Sequence, residues 1–165
     1  MLRLCRCFST PEKFDFNAAV DSLKEDGYVL FDYALEIIKN FGGFEVGPKG
    51  WYFKAENGGK LFKKHFIPKG TFQYTYFPHL QYIFTIDPTL VRDELDRMEF
   101  FGEYFSDYLI PLGIYDGNYL AVGKSRKVYE ICPSIKAYVN ILGNDFPDFL
   151  NRYYANEPPI LHLLF

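Results

Sequence analysis

The sequence is poor in cysteine and contains no long hydrophobic run, and both features limit what the protein can be. Its three cysteines, Cys5, Cys7 and Cys132, provide neither a disulfide framework nor the spacing of a zinc site. No segment approaches the roughly 18 consecutive apolar residues that would cross a bilayer. Residues 1–10 also lack the apolar region of a signal peptide. We therefore expect a cytoplasmic protein that works in a reducing compartment without a membrane partner.

A recognisable catalytic or metal-binding motif is also missing. The three histidines, His65, His79 and His162, are far apart in the sequence, and none lies near a cysteine. Residues 92–97 mix three carboxylates with two arginines, which could serve acid–base chemistry but is more typical of a solvent-exposed helix face. We therefore expect no enzymatic activity, no cofactor and no metal ion.

Basic residues are outnumbered overall but concentrated in one region. The chain has 18 Lys and Arg against 21 Asp and Glu, a net charge of −3. Residues 49–70 hold six lysines and one acid, a net of +5, so the remaining chain carries −8. Such an acidic body repels phosphate and disfavours a dedicated nucleic-acid binder. Lys60, Lys63 and Lys64 alternate with aromatic rings, however, so binding of a single strand through a basic hairpin at 51–66 stays open as an alternative.

Aromatic residues are abundant by contrast. The 165 residues include 18 Phe, 14 Tyr and 1 Trp. Much of this ring area must form the core of what we expect to be a single domain. The surplus should leave tyrosines on the surface, where they favour contacts with other proteins.

Apolar residues at helical spacing predict several helices. Their bounds are marked by capping and stop residues: Asp15 to Gly27, Asp32 to Phe41, Asp87 to Gly102 with Pro88 in the first turn, and a closing helix after Asn144-Asp145.

The segment from Tyr108 to Ile131 predicts three antiparallel strands at the centre of the fold. Asp116-Gly117 supplies the two left-handed positions of a type I′ hairpin turn. Every second residue from Tyr108 to Ile114 is Tyr, Ile or Leu, and this spacing predicts that these side chains share one apolar face of a strand. Pro111 cannot donate a hydrogen bond to a neighbouring strand, so its strand should lie at an edge or be bulged there.

Together these elements predict an α+β fold, with an antiparallel sheet of about five or six strands covered by N-terminal and C-terminal helices. We expect an N-terminal arm at residues 1–13 and one domain at residues 14–157. Residues 158–165 form an apolar tail, which should dock on its own domain or on a second copy, giving a homodimer in the latter case.

Short motifs follow one another in a particular order along the chain. They are Gly27-Tyr28-Val29, Phe41-Gly42-Gly43-Phe44, Phe84-Thr85-Ile86-Asp87-Pro88, Ile110-Pro111-Leu112-Gly113, Tyr119-Leu120-Ala121-Val122, Val128-Tyr129 and Leu142-Gly143-Asn144-Asp145-Phe146. This order resembles the SUKH superfamily, in the branch with Phe-Gly-Gly and Pro-Leu-Gly motifs, over roughly residues 16–156. Lys124-Ser125-Arg126 departs from the family's pattern, which usually has an acid and a glycine in that turn.

The resemblance implies a small bacterial α+β protein that acts by binding. Members of this family are mostly immunity proteins, which neutralise a cognate toxin, often a nuclease or a deaminase. A eukaryotic branch regulates cell-wall synthesis through protein contacts. The resemblance therefore implies a non-enzymatic immunity protein whose partner is a toxin domain, and a regulatory protein-interaction module without a toxin is the alternative.

Two groups of residues are candidates for partner binding. Tyr115, Asp116 and Asn118 lie at the tip of the central hairpin, where a rigid turn would present a ring, a carboxylate and an amide. The turn alone also accounts for Asp116-Gly117. Lys60, Lys63 and Lys64 form the second group, although lysines on an exposed strand also serve to prevent aggregation.

We predict that the purified protein has no hydrolase, transferase or nuclease activity, because the sequence contains no nucleophile–base pair and no set of metal ligands. The measurement is a panel of turnover assays on the parent protein. Turnover that disappears on substitution of one histidine or one carboxylate would contradict this prediction.

Overall fold

The computed structural model describes residues 14–46, 84–134, 138–155 and 157–165. Its helices are α1 (Phe16–Glu25), α2 (Asp32–Phe41), α3 (Leu95–Phe105) and α4 (Phe146–Ala155). Its strands are β1 (Phe44–Val46), β2 (Phe84–Ile86), β3 (Leu109–Tyr115), β4 (Asn118–Gly123), β5 (Val128–Ile131), β6 (Tyr138–Gly143) and β7 (Leu161–Leu164). The expected arm at residues 1–13 and the basic hairpin at 51–66, with Lys60, Lys63 and Lys64, lie outside the described residues.

The described strands form one antiparallel sheet in which each strand pairs with its neighbour in the chain, from β1 to β7. The predicted α+β fold is confirmed. The sheet has seven described strands instead of the expected five or six. One of them, β7, comes from the apolar tail, where Leu161–Leu164 pairs with Tyr138–Ile141 of β6.

Helices cover both faces of the sheet. On one face, Phe41 of α2 contacts Phe146 of α4 at 4.9 Å between ring centroids, and Phe149 of α4 contacts Phe84 of β2 at 5.3 Å. On the other face, Phe105 of α3 contacts Tyr129 of β5 at 5.3 Å. Rings that contact one another in this way supply much of the apolar area that the core buries. Within the described ranges, no helix has the length and apolar character needed to cross a membrane.

A side-chain cap marks the start of α1, whereas α2 and α3 begin without a side-chain hydrogen bond from their N-cap residues. The Asp15 side chain accepts a hydrogen bond from Ala18 N–H at 3.0 Å, and α1 follows as predicted. The predicted start of α3 is wrong, because Asp87 caps only a 3-10 turn at Pro88–Leu90. Asp93 then adopts a left-handed conformation (φ 56°), which interrupts the chain before α3 begins.

The predicted end of α3 is also wrong, because the helix continues past Gly102 to Phe105. A Cβ atom at position 102 would lie 2.7 Å from the Asp107 carbonyl oxygen. The glycine therefore permits a close backbone approach, and the left-handed Ser106 ends the helix instead (φ 52°).

Pro111 lies in a bulge and not at an edge. Strand β3 is internal to the sheet, and its register with β4 shifts between Pro111 and Gly113. Consequently Ile110 pairs with Val122, whereas Ile114 pairs with Tyr119. Because Val122 and Tyr119 point to opposite faces of β4, the predicted single apolar face of β3 does not extend beyond the bulge.

Asp107 holds the turn between β4 and β5 against the start of β3. Its carboxylate accepts hydrogen bonds from the Ser125 N–H, the Ser125 hydroxyl and the Tyr129 hydroxyl. Burial acts to raise the pKa of Asp107, but these hydrogen bonds outweigh it and lower the pKa. Ser125 therefore has a structural role in the turn between β4 and β5.

We predict that Gly113→Ala destabilises the protein far more than Gly117→Ala. Gly113 has φ 150°, and a Cβ there would lie 1.9 Å from the Thr85 carbonyl oxygen of β2. Gly117 has φ 80° but nothing within 4 Å of the added atom. We expect losses of about 3 kcal/mol and about 1 kcal/mol respectively, measured by urea denaturation. Equal losses would show that the β2–β3 approach is not tight.

Candidate functional site

A cavity of about 460 Å³ lies between α4 and the second half of the sheet. We call it the Glu130 pocket. The sheet contributes Glu130, Tyr138, Asn140 and His162 to its lining, the central hairpin contributes Tyr115 and Asp116, and α4 with the following segment contributes Phe149, Arg152, Tyr153 and Glu157.

The register of the sheet brings its polar residues together. Glu130 of β5 is the direct partner of Asn140 on β6, and Asn140 is the direct partner of His162 on β7. Directly opposed residues of antiparallel strands point to the same face of the sheet. Three side chains that are separated in sequence therefore form one polar row beneath α4.

Glu130 is a buried carboxylate enclosed by donors. Its side chain is 5% exposed. The Asn118 and Asn140 amide nitrogens donate to it at 2.6 and 2.7 Å, and the Tyr138 hydroxyl donates at 3.2 Å. Burial raises the pKa of Glu130, and the hydrogen bonds from Asn140, Asn118 and Tyr138 offset part of that rise. Repulsion from the Asp116 carboxylate raises the pKa of Glu130 further.

The same network determines which nitrogen of His162 carries a proton. The Asn140 amide nitrogen donates to Glu130, so the Asn140 amide oxygen must accept from its other neighbour. That neighbour is His162 Nδ1, at 2.5 Å. Nδ1 therefore carries a proton, and in the neutral form of the ring Nε2 is an acceptor.

Aromatic rings form the remaining walls. Tyr115 contacts Phe149 at 6.1 Å and Tyr153 at 6.4 Å between ring centroids. Across the sheet, the Tyr138 ring contacts the His162 ring at 5.6 Å. Burial, followed by the charge of Glu130, raises the pKa of Tyr138 to about 12, so its hydroxyl stays protonated at neutral pH.

The only arginine that lines the pocket among the described residues is already engaged. Arg152 forms an ion pair with Glu157 at 2.8 Å and donates to the Pro158 carbonyl oxygen at 2.8 Å. Asp116 lies at the pocket rim, where the partial loss of solvent around its carboxylate raises its pKa. The carboxylates of Asp116 and Glu130 therefore have no cationic partner within the part of the chain that the structure describes.

The structure places the hairpin candidates differently from one another. Tyr115 and Asp116 line the pocket, and the positive φ values of Asp116 (49°) and Gly117 (80°) are those of the predicted turn. Asn118 is only 9% exposed. The prediction that the turn presents its amide to solvent is wrong, because that amide binds Glu130 inside the sheet.

Sequence reasoning missed Glu130, Asn140 and His162 as one site. Glu130 and Asn140 each interrupt an apolar strand, Val128–Ile131 and Tyr138–Gly143. A polar residue within such a run is a signal that sequence can show, since buried polar groups require partners. His162 was considered alone because its partner lies on another strand.

Comparisons with protein-family models, with curated proteins and with solved structures give no match. The site therefore has to be interpreted from its own chemistry. Within the described ranges, no group of three or more His, Cys, Asp or Glu side chains could hold a metal ion. What the pocket offers is a negatively charged recess with aromatic walls.

We predict that Glu130→Gln removes a pH dependence of stability. Because the pKa of Glu130 is raised by folding, the folded chain holds this proton more tightly than the unfolded chain. The free energy of unfolding should therefore fall as pH rises from the ordinary glutamate value of about 4.3 through the raised value. Urea denaturation between pH 4 and 8 should show that the free energy of unfolding declines less with pH in Glu130→Gln than in the parent.

The matched control is Glu103→Gln, since Glu103 is exposed on α3. Glutamine at position 130 keeps the network intact if the Asn140 amide rotates, so that its oxygen accepts from the new amide and its nitrogen donates to His162 Nδ1 of the other tautomer. If the free energy of unfolding declines as much with pH in Glu130→Gln as in the parent, Glu130 is not the titrating group.

Proposed function

We propose that this chain is a non-enzymatic immunity protein of the SUKH type, which acts in the cytoplasm by binding a cognate toxin domain. The observation that carries the proposal is the Glu130 pocket, an acidic recess with aromatic walls that opens beside the hairpin residues Tyr115 and Asp116. Concave sites with a few convergent polar groups are where proteins bind partners and ligands. The order of the SUKH-like motifs supports the class of partner.

Charge supports a basic toxin. Residues 49–70 carry +5, and the rest of the chain carries −8. A surface of one sign steers an oppositely charged partner and speeds encounter. Toxins that act on nucleic acids need basic surfaces to hold phosphate, so an acidic binder is complementary to that class.

The contacts of the pocket favour binding over catalysis. Both oxygens of Glu130 accept hydrogen bonds from fixed side chains. These contacts hold the carboxylate in one position, which favours a fixed binding group over a group that exchanges protons with a substrate. The two terminal nitrogens of Arg152 are held by Glu157 and by the Pro158 carbonyl oxygen, which fixes the guanidinium in the pocket wall.

We predict that the protein captures the C-terminal domain of a toxin encoded beside its own gene and protects cells that express that domain. Association should slow steeply as salt increases, while dissociation changes little, because peripheral charges act mainly on encounter. Stopped-flow or biosensor kinetics at several salt concentrations provide the measurement.

Two outcomes would contradict this proposal. Association that does not depend on salt would remove the role of the acidic surface. The absence of both capture and protection, with no toxin gene in the neighbourhood, would favour the regulatory module without a toxin.

A further inference from the structure

The uncompensated charge of the Glu130 pocket calls for a cationic ligand. Asp116 and Glu130 repel one another. The pKa of Tyr153 is raised mainly by burial and further by the charge of Asp116. The Arg152 guanidinium in the pocket wall forms an ion pair with Glu157, although its Nε has no hydrogen-bond partner among the described residues. A bound cation would relieve the repulsion between the two carboxylates and favour their ionised forms.

The aromatic walls indicate an organic cation. Tyr115, Phe149 and Tyr153 lie within 6.4 Å of one another, and Tyr138 lies on the sheet side of the cavity. Aromatic faces attract cations and are strongest for weakly hydrated ones. A metal ion would instead need a compact set of oxygen or nitrogen ligands, which the described residues do not provide.

The arrangement of acceptors indicates a planar cation with several N–H groups. Asp116 offers a carboxylate at the rim, and His162 offers Nε2 as an acceptor. Glu130 Oε2 accepts only from Asn140 among the described side chains, which leaves it one lone pair. An arginine guanidinium carries five donors in a plane, loses its hydration more readily than an ammonium group, and stacks on rings.

We propose that the Glu130 pocket binds the guanidinium group of an arginine side chain presented by a protein partner. The cavity of about 460 Å³ exceeds what one such side chain needs, so part of the partner's backbone enters with it. The identification of that partner as a toxin rests on the proposed function, whereas the guanidinium specificity rests on the pocket. A buried arginine is also the kind of residue that dominates the affinity of protein interfaces.

The experiment uses N-acetyl-arginine amide as the probe and N-acetyl-citrulline amide as its neutral isostere. Backbone amide shifts in ¹H–¹⁵N spectra of the full chain are followed over the millimolar range. We expect saturable shifts centred on Asp116, Asn140 and His162, with arginine binding at least tenfold tighter than citrulline. Equal binding of the two probes, or no saturable binding of arginine, overturns the proposal.

Asp116→Asn is the decisive variant. Asparagine is as well suited as aspartate to this position of a type I′ turn, so the hairpin keeps its shape while the charge is removed. We expect arginine binding to weaken about tenfold, as for loss of a charged hydrogen-bonding partner. Glu103→Gln on α3 removes a charge away from the pocket and should leave binding unchanged. Arginine binding that survives Asp116→Asn undiminished overturns the proposal.

The same variants separate this proposal from the immunity function. If a toxin binds the parent and Asp116→Asn equally tightly, the immunity function stands and the arginine pocket is wrong. If arginine binds as expected but no toxin is captured, the pocket stands and the immunity function is wrong. Weaker capture of the toxin by Asp116→Asn, with an unchanged rate of dissociation from Glu103→Gln, supports both.

Discussion

The burial of one carboxylate, Glu130, constrains the second half of the sheet. A charge in the interior is tolerated only where donors surround it, and removing a donor would leave it uncompensated. Its donors come from the strands on either side, Asn118 of β4 and Asn140 of β6. A shift of register in either pairing would carry one amide to the opposite face of the sheet. The carboxylate therefore couples the alignment of three strands, and that alignment also positions His162 of β7.

The pocket exists because polar and apolar packing meet beneath α4. Phe149 and Tyr153 turn the apolar side of α4 towards Phe84 and Tyr115, where rings meet at 5.0 to 6.4 Å. Towards β6 and β7 the sheet presents the polar row of Glu130, Asn140 and His162 instead. The rings of α4 therefore do not pack closely against this part of the sheet. The result is a recess in which a charged floor is bordered by aromatic walls. Such a recess is suited to a partner that brings both a cation and apolar area.

Two further features of the sheet show how local sequence serves the fold. The bulge between Pro111 and Gly113 lets an internal strand contain a proline that cannot donate to its neighbour. The tail strand β7 covers the edge of β6, and its terminal residue Phe165 contacts Phe101 of α3 at 5.2 Å. The tail thus reaches the helix on the far face from the pocket, while His162 reaches the pocket itself.

Much of the local structure followed from the sequence by itself. The cap at Asp15, the bounds of α2 and the Asp116-Gly117 turn depend on interactions within a few residues, which the sequence displays directly. The late start of α3 and the extra strand of the tail depended on contacts between distant segments. Glu130, Asn140 and His162 form a site only because three strands pair in one register. Tertiary structure alone decided that, since side-chain partners across a sheet are set by strand pairing and not by distance along the chain.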